Sequence, residues 1–224
     1  KNRKMTDILS LDEGYSTTRL IFNDKCLMLN EDNSQFNIEN STSKKGGLRT
    51  KGYFKKSFDD KPLISIITVV FNGEKYLEET IQSVINQTYS NVEYIIIDGG
   101  SSDGTLDIIK KYEDKIDYWV SEKDKGIYDA MNKGIDVASG EWLNFMNAGD
   151  GFYDFYVLSK IFTQNDFKNI DVVYGNHNVI YPNKMRIAKA GKIENIWKGS
   201  QFCHQASFIS SKVQKENKFN LSNR

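Results

Sequence analysis

The residues from 62 to 150 alternate between short apolar runs and segments with helical spacing. The run 63–71 is nearly continuous in apolar and β-branched residues, which is typical of a strand buried on both faces. A helix is predicted next, because apolar residues recur at helical spacing at Leu77, Ile81, Val84 and Ile85. Further strands are predicted at 92–97, 117–121 and 142–146, and further helices at 105–112 and 126–138. Strands that alternate with helices predict an α/β fold with a parallel sheet and right-handed crossovers.

The pattern is weaker on either side of this region. After Asp150 we predict a helix at 155–163 and strands at 172–175, 178–181 and 206–209, while 193–205 shows no clear period. Before Pro62, the interpretation is a turn of helix at 8–11, a short strand at 27–29 and a loop from 30 to 45. The sequence therefore predicts an N-terminal extension, 1–61, followed by one domain, 62–224.

The extension ends in a basic segment, residues 44–56, that has no acidic residue. Its charged residues are Lys44, Lys45, Arg49, Lys51, Lys55 and Lys56. One interpretation is a solvated linker. The other is a patch for an anionic substrate or an acidic membrane surface.

Charge and cysteine content narrow the class of protein. Lys plus Arg and Asp plus Glu each number 30, which argues against a dedicated nucleic-acid binder. Two cysteines, Cys26 and Cys203, make neither a disulfide framework nor a structural zinc site, and they favour a reducing, cytoplasmic setting. We expect no transmembrane helix and no signal peptide, because no long apolar run is present. A first residue other than Met suggests a piece of a longer chain.

Polar side chains follow four successive predicted strands. They are Asn72, Asp98, Asp124 and Asp150. Ligands of open α/β sheets bind outside the carboxyl ends of the strands, so these residues are expected to share one edge. Three carboxylates there need a metal ion, a basic side chain or the edge of a base between them. The phosphate-binding P-loop motif is absent, and the turn after the first strand lacks the Gly-x-Gly-x-x-Gly pattern of dinucleotide-binding enzymes.

Six sequence blocks follow one another in a specific order and spacing between residues 62 and 151. They are Ser65–Gly73, Ser83–Tyr89, Ile97–Thr105, Ser121–Gly134, Ala138–Trp142 and Asn147–Asp150. This part of the chain resembles the nucleotide-binding half of the family 2 glycosyltransferases. The resemblance implies the GT-A fold, an α/β, Rossmann-like, mostly parallel sheet flanked by helices.

The resemblance also implies roles for individual residues. It places Val69, Phe71 and Asn72 at the nucleotide, with Phe71 packed on the base. Asp98 would accept the N3–H of uracil, as a carboxylate can. Asp124 would face the nucleoside and Lys125 would reach a phosphate. Asn132, with Asp129 one turn earlier, would line the pocket, although both could simply be helix surface.

Asp150 matches the last position of the family's Asp-x-Asp signature, which holds Mg²⁺ or Mn²⁺ against the donor diphosphate. Here Asn147 replaces the first aspartate and brings no charge. The block Cys203–Ala206 also resembles a family segment, so His204 is a candidate metal ligand, diphosphate contact or catalytic base, with a structural role as the alternative. His177 is expected to be structural or incidental.

The expected activity is inverting transfer of a sugar, of the hexosyltransferase type. The resemblance implies a UDP-sugar donor and a glycan or lipid-linked saccharide as acceptor, with peripheral contact at the inner membrane left open. Asp150 and His204 are the candidate catalytic residues, although the general base has no motif of its own. The alternative is a nucleotide-sugar-binding or scaffold protein without turnover. A nucleotidyltransferase is disfavoured, because no glycine-rich basic loop follows the first strand.

Overall fold

The structure is a computed structural model that describes residues 8–11, 43–165 and 167–222. The strand predicted at 27–29 lies outside the described residues. Ten strands are described: β1 (Ile8–Leu11), β2 (Lys44–Gly46), β3 (Ile64–Val70), β4 (Val92–Asp98), β5 (Tyr118–Ser121), β6 (Trp142–Phe145), β7 (Val172–Gly175), β8 (His177–Tyr181), β9 (Lys184–Ala188) and β10 (Ser207–Ser210). Eight of them form one sheet in the order β1-β7-β10-β6-β3-β4-β5-β2, and β8 and β9 form a separate hairpin.

The centre of the large sheet is parallel. β6, β3, β4 and β5 run in the same direction. The apolar runs of β3 and β4 are buried, as is typical of parallel strands that are covered by helices on both faces. β10 is antiparallel to both β6 and β7, and β2 is antiparallel to β5. The predicted α/β class with a mostly parallel sheet is confirmed.

Helices cover both faces of this sheet. They are α1 (Leu77–Ile85), α2 (Thr105–Lys111), α3 (Ile127–Val137), α4 (Val157–Phe162) and α5 (Ser211–Glu216). One core contains the apolar sides of α1, α2 and α4, and a second core contains that of α3. α3 approaches the sheet closely at Gly134, where a Cβ would lie 2.4 Å from Cγ2 of Ile67.

Most predicted elements are present within one or two residues of their expected bounds. The turn of helix predicted at 8–11 is wrong, because β1 pairs in parallel with β7. β2 and β9 were not predicted. Each is a short, largely exposed strand, so neither shows the apolar pattern on which the prediction depended.

The basic segment 44–56 is partly built into the fold, so the prediction of a solvated linker is wrong for part of it. Arg49 forms an ion pair of 3.3 Å with the buried carboxylate of Glu93 and donates to the carbonyl of Val137 at 2.7 Å. Lys55 lies 2.8 Å from the buried carboxylate of Asp117. These two cations compensate buried charge, whereas Lys44, Lys45 and Lys51 are exposed.

Candidate functional site

The carboxyl ends of β6, β3, β4 and β5 meet at one edge of the sheet, which we call the rim. The loops 146–151, 71–76, 99–104 and 122–126 follow these four strands in the same order. β10 is antiparallel to β6, so it begins at the same rim, and it brings His204 there from the segment that precedes it. Asn72, Asp98, Asp124, Asp150 and His204 therefore all lie in or beside the rim.

Asn72 joins two of the rim loops. Its backbone adopts the left-handed conformation, with a φ of 50°, which Asn tolerates better than most residues. Its amide N–H donates to Oγ of Ser101 at 2.7 Å, and its Oδ1 accepts from the backbone N–H of Ser102 at 2.9 Å. The loop after β3 is thereby fixed against the loop after β4.

Asp98 is fully buried, with 0% of its surface exposed. Its carboxylate accepts from the backbone N–H of Ser101 at 3.1 Å, from Oγ of Ser101 at 2.5 Å and from Oγ of Ser121 at 2.5 Å. These contacts give Asp98 a role in ordering the loop. Its contact with a base stays a prediction, and it requires the carboxylate, which is fully buried here, to become accessible.

Phe71 and Asp124 converge above Gly99. A Cβ on Gly99 would lie 2.6 Å from Oδ2 of Asp124 and 3.4 Å from Cδ2 of Phe71, so only glycine leaves this space open. The ring of Phe71 is 67% exposed, which is unusual for a large apolar side chain. Oδ1 of Asp124 accepts from the N–H of Gly126 at 2.8 Å. An exposed aromatic face beside a carboxylate oxygen can hold a planar base that carries an N–H donor.

Three other predicted nucleotide contacts have different surroundings. Val69 is 6% exposed and packs in the core beneath α3, so its side chain is not available to a ligand. The amide of Asn132 is occupied by the backbone of Phe219, with distances of 2.9 Å in both directions, and it fastens the C-terminal segment instead of lining a pocket. Lys125 is exposed at the rim, and its N–H donates to Asp129 at 3.0 Å.

The turn from Asn147 to Asp150 is held by α1. The hydroxyl of Thr80 accepts from the N–H of Gly149 at 2.9 Å and donates to the carbonyl of Asp150 at 2.7 Å. Oδ2 of Asp150 accepts from the amide of Gln205 at 2.9 Å. Sequence reasoning missed Thr80 and Gln205, although Gln205 is part of the block that contains His204.

His204 contacts this turn directly. Its Nε2 lies 3.2 Å from Nδ2 of Asn147, and Oδ1 of Asn147 is buried without a hydrogen-bond partner. Partial burial holds the pKa of His204 below its usual value of 6.5, and the nearby carboxylate of Asp150 opposes that shift. A neutral imidazole with its proton on Nδ1 presents the lone pair of Nε2 to the turn.

We expect the pKa of His204 to lie below 6.5 in an NMR titration of the nucleotide-free protein. Asp150→Asn should lower this pKa further, because it removes the charge that favours the imidazolium. Because the folded-state pKa is depressed, the stability contributed by His204 is present above pH 6.5 and is lost as the pH falls through the folded pKa. Asp136→Asn, on the surface of α3, is the control and should leave the titration unchanged. A pKa above 6.5 would contradict the burial argument.

The described residues contain no group of three or more His, Cys, Asp or Glu side chains arranged to hold a metal ion. The turn offers one carboxylate, Asp150, and the unpartnered amide oxygen of Asn147, and His204 beside it offers an imidazole. These donors fit a hard divalent cation only as a partial set. The remaining ligands would have to come from a bound anion and from water.

A cavity of about 540 Å³ adjoins Asp150. Its polar wall includes Asp150, Gln205 and His177, and its apolar wall includes Met146 and Tyr174. A second, open cleft of about 550 Å³ shares His177 and Cys203 with this cavity and is lined by residues including Lys189 and His204. These two cavities leave room for a ligand beside the turn. Among the described residues, every helix falls short of the length and apolarity that a membrane crossing requires.

Known proteins are similar to this chain in sequence and in fold. The chain is similar to a PGL/p-HBAD biosynthesis glycosyltransferase of Mycobacterium bovis, with 32% identity over 151 residues that cover 66% of this chain and 59% of the relative. The chain thus spans less than two thirds of that relative's length.

Two solved structures share the fold. TarS of S. aureus in complex with UDP-GlcNAc has a TM-score of 0.53 and 20% identity, covering 70% of this chain and 48% of TarS. The mannosyltransferase PcManGT of Pyrobaculum calidifontis, in complex with GDP-Man and Mn²⁺, has a TM-score of 0.54 and 18% identity, covering 78% of this chain and 54% of PcManGT. These likenesses confirm the predicted GT-A fold. The model of glycosyl transferase family 2 matches residues 65–221, and the chain belongs to that family.

Proposed function

We propose that the protein transfers a sugar from a nucleotide-sugar donor to a saccharide or lipid-linked saccharide. The observation that carries this proposal is the convergence of two features on the rim. The pair of Phe71 and Asp124 above Gly99 suits a base, and the pair of Asp150 and His204 suits a diphosphate with its cation. A transferase needs both features on the same edge, because they hold the base and the diphosphate of one donor molecule.

UDP is the proposed nucleotide. Phe71 would stack on the base, and Oδ2 of Asp124 would accept its N–H, since Oδ1 is already occupied by Gly126. Uracil N3–H is such a donor, but so is guanine N1–H, and the neighbouring structures contain UDP-GlcNAc in one case and GDP-Man in the other. Lys125, exposed beside Asp124, is proposed to neutralise a phosphate.

Mg²⁺ or Mn²⁺ is the proposed cofactor, held by Asp150 and His204, with the oxygen of Asn147 as a neutral contact. When bound, such a cation neutralises charge on the leaving diphosphate. Because Asp150 is the single carboxylate in this turn, the protein would hold the cation weakly until the diphosphate adds its own charge. Gln205 and Thr80 keep Asp150 in place for this contact.

Inverting transfer is the proposed chemistry. The acceptor oxygen forms a bond to the anomeric carbon from the side opposite the diphosphate, and the bond from that carbon to the diphosphate oxygen breaks. The hydroxyl proton must pass to a base within about 3 Å. His204 is neutral near pH 7 and could accept it when it does not contact the cation. The cavity beside Asp150 would hold the acceptor, and the setting is proposed to be cytoplasmic.

The alternative is a protein that binds a nucleotide sugar without turnover. It is favoured by one observation, which is that Asn147 supplies no charge to the metal turn. The two functions differ in one measurable quantity, the release of UDP from a UDP-sugar in the presence of an acceptor. Binding without release would support the alternative.

Phe71→Ala should weaken UDP binding about tenfold, because stacking of one base on an aromatic ring contributes roughly 1–3 kcal/mol. Calorimetric titration with UDP and with GDP, each with Mn²⁺, measures this loss and also identifies the base. Phe58→Ala is the matched control, since Phe58 is 47% exposed and lies before the amino end of β3, at the opposite edge of the sheet. Equal UDP affinity in Phe71→Ala and wild type would show that the nucleoside does not bind at Phe71.

A further inference from the structure

The chain between Asn176 and Phe202 leaves the main sheet after β7 and returns before β10; we call this segment the excursion. It contains the β8–β9 hairpin and a 3₁₀ helix at Ile193–Lys198. Its base is closed by hydrogen bonds from Ala190 N–H to Oδ1 of Asn176, at 2.8 Å, and from Gly191 N–H to the carbonyl of Gln201, at 2.6 Å. The excursion is thus a defined appendage with its own closed base.

One face of the hairpin is apolar and exposed. The register pairs Ile180 with Met185 and Asn178 with Ile187, so these four side chains share a face. Ile180 is 79% exposed, Met185 58% and Ile187 55%. On the 3₁₀ helix of the same excursion, the indole of Trp197 is 77% exposed. Large apolar side chains at such exposure mark an interaction surface when they occur together.

Basic residues lie on the opposite face of the hairpin and in the chain that follows it. The register pairs Lys184 with Tyr181 and Arg186 with Val179, so these two cations alternate with the apolar side chains, as in an amphipathic element that lies in a membrane interface. Between 176 and 202 the chain has five basic residues and one acidic residue, although its total charge is balanced. The basic residues are Lys184, Arg186, Lys189, Lys192 and Lys198. Two of them lie over aromatic rings, Lys184 at 5.2 Å from the ring centroid of Tyr181 and Lys198 at 4.9 Å from that of Trp197.

We propose that the excursion is a docking surface for an anionic lipid membrane. Aliphatic side chains that enter the acyl boundary, Trp and Tyr at the headgroup level, and cations that contact anionic headgroups are the combination that binds such a surface. The excess of positive charge favours an anionic lipid surface over a second copy of this chain, because two excursions would repel each other. In the basic segment 44–56, where the sequence suggested a membrane patch, Arg49 and Lys55 are committed to buried ion pairs, which leaves Lys44, Lys45, Lys51 and Lys56 exposed.

The excursion adjoins the rim. His177 and Asn178, at the start of the hairpin, line the cavity that contains Asp150, and Lys189, just after it, lines the cleft that contains His204. A protein that docks through the excursion would therefore hold its rim close to the membrane surface. Lipid-linked saccharides are the class of acceptor that such a position would serve.

The test is flotation of the full chain with lipid vesicles, without donor or metal, so that its result does not depend on the proposed transferase activity. We expect binding to phosphatidylglycerol vesicles and little binding to pure phosphatidylcholine vesicles. Lys184→Gln/Arg186→Gln/Lys192→Gln should lower the affinity about 100-fold, since each cation contributes roughly fivefold at an anionic surface. Ile180→Ser/Ile187→Ser should also abolish flotation at salt concentrations that the wild type tolerates.

Two matched variants serve as controls. Lys44→Gln/Lys51→Gln/Lys110→Gln removes the same charge from exposed positions elsewhere, and Phe58→Ser/Leu221→Ser removes exposed apolar side chains outside the excursion. Both should float as the wild type does. Absence of flotation, equal loss in the controls, or a wild-type dimer that Ile180→Ser/Ile187→Ser converts to a monomer would overturn the proposal; the last result would show that the apolar face is covered by a second copy.

Discussion

Asp150→Ala is expected to reduce sugar transfer by at least about 100-fold and to remove the effect of Mn²⁺ on UDP binding. Asp150 is the single carboxylate of the turn that begins at Asn147, and neutralisation of the leaving diphosphate contributes several kcal/mol. Metal and nucleotide should each raise the affinity of the other by the same factor, because coupling between two bound ligands is reciprocal. In the variant this factor should fall to about one.

Calorimetric titration of Mn²⁺ with and without UDP, and of UDP with and without Mn²⁺, measures the coupling directly. Asp114→Ala is the control, because Asp114 is exposed and its ion pair with Lys115 lies on the surface. His204→Ala separates the two roles proposed for that residue. Loss of coupling identifies a metal ligand, whereas intact coupling with lost turnover identifies a base. Tight binding of Mn²⁺ by the wild type without nucleotide, or a UDP affinity that is the same with and without Mn²⁺, would contradict the proposed metal contact.

Lys55→Met is expected to lower the free energy of unfolding by about 3 kcal/mol at neutral pH, because it leaves a buried carboxylate without its cation. Nζ of Lys55 lies 2.8 Å from Oδ2 of Asp117 and donates to the carbonyl of Val92 at 2.6 Å. Asp117 is 2% exposed and also accepts the N–H of Tyr94 at 2.8 Å. A methionine side chain can keep the packing of the lysine stem but not its charge.

The loss should depend on pH in a defined direction. Burial raises the pKa of Asp117 above its usual value of 3.8, and Lys55 opposes that shift. For a carboxyl group with a raised folded-state pKa, stability is present below pH 3.8 and is lost as the pH rises through the folded pKa. Removing Lys55 raises the pKa further, so the destabilisation should be small near pH 3.8 and grow toward neutral pH.

Urea unfolding of Lys55→Met and wild type at several pH values measures this difference. Lys51→Met is the matched control, since Lys51 is exposed in the same basic segment, and it should change stability by less than about 0.5 kcal/mol. A pH-independent difference would show that the loss comes from packing and not from the charge of Asp117.

Much of the fold was predictable because it depends on local pattern. The apolar β-branched runs of β3 and β4 have one stable environment, a sheet covered on both faces, and the helical spacing of α1 and α3 supplies the cover. From the alternation alone it follows that Asn72, Asp98, Asp124 and Asp150 approach one edge. The sequence by itself therefore determined the α/β class and the location of the rim.

The tertiary structure decided what each of these residues contacts. Asp98 accepts hydrogen bonds from Ser101, in the loop after β4, and from Ser121, at the end of β5. Asn132 is occupied by Phe219, 87 positions away in the chain. His204 reaches Asn147 only because β10 runs antiparallel to β6.

The edge strands and the basic segment also depend on contacts with distant parts of the chain. β1 has no pattern of its own and exists as a strand through its pairing with β7. Arg49 and Lys55 resemble solvated linker residues until the fold places Glu93 and Asp117 beside them. Periodicity reports which face of an element is buried, since burial depends on side-chain spacing along one segment. It does not report which distant segment supplies the partner, since the energy of a buried charge or of a strand edge depends on contacts that form only when the whole chain has folded.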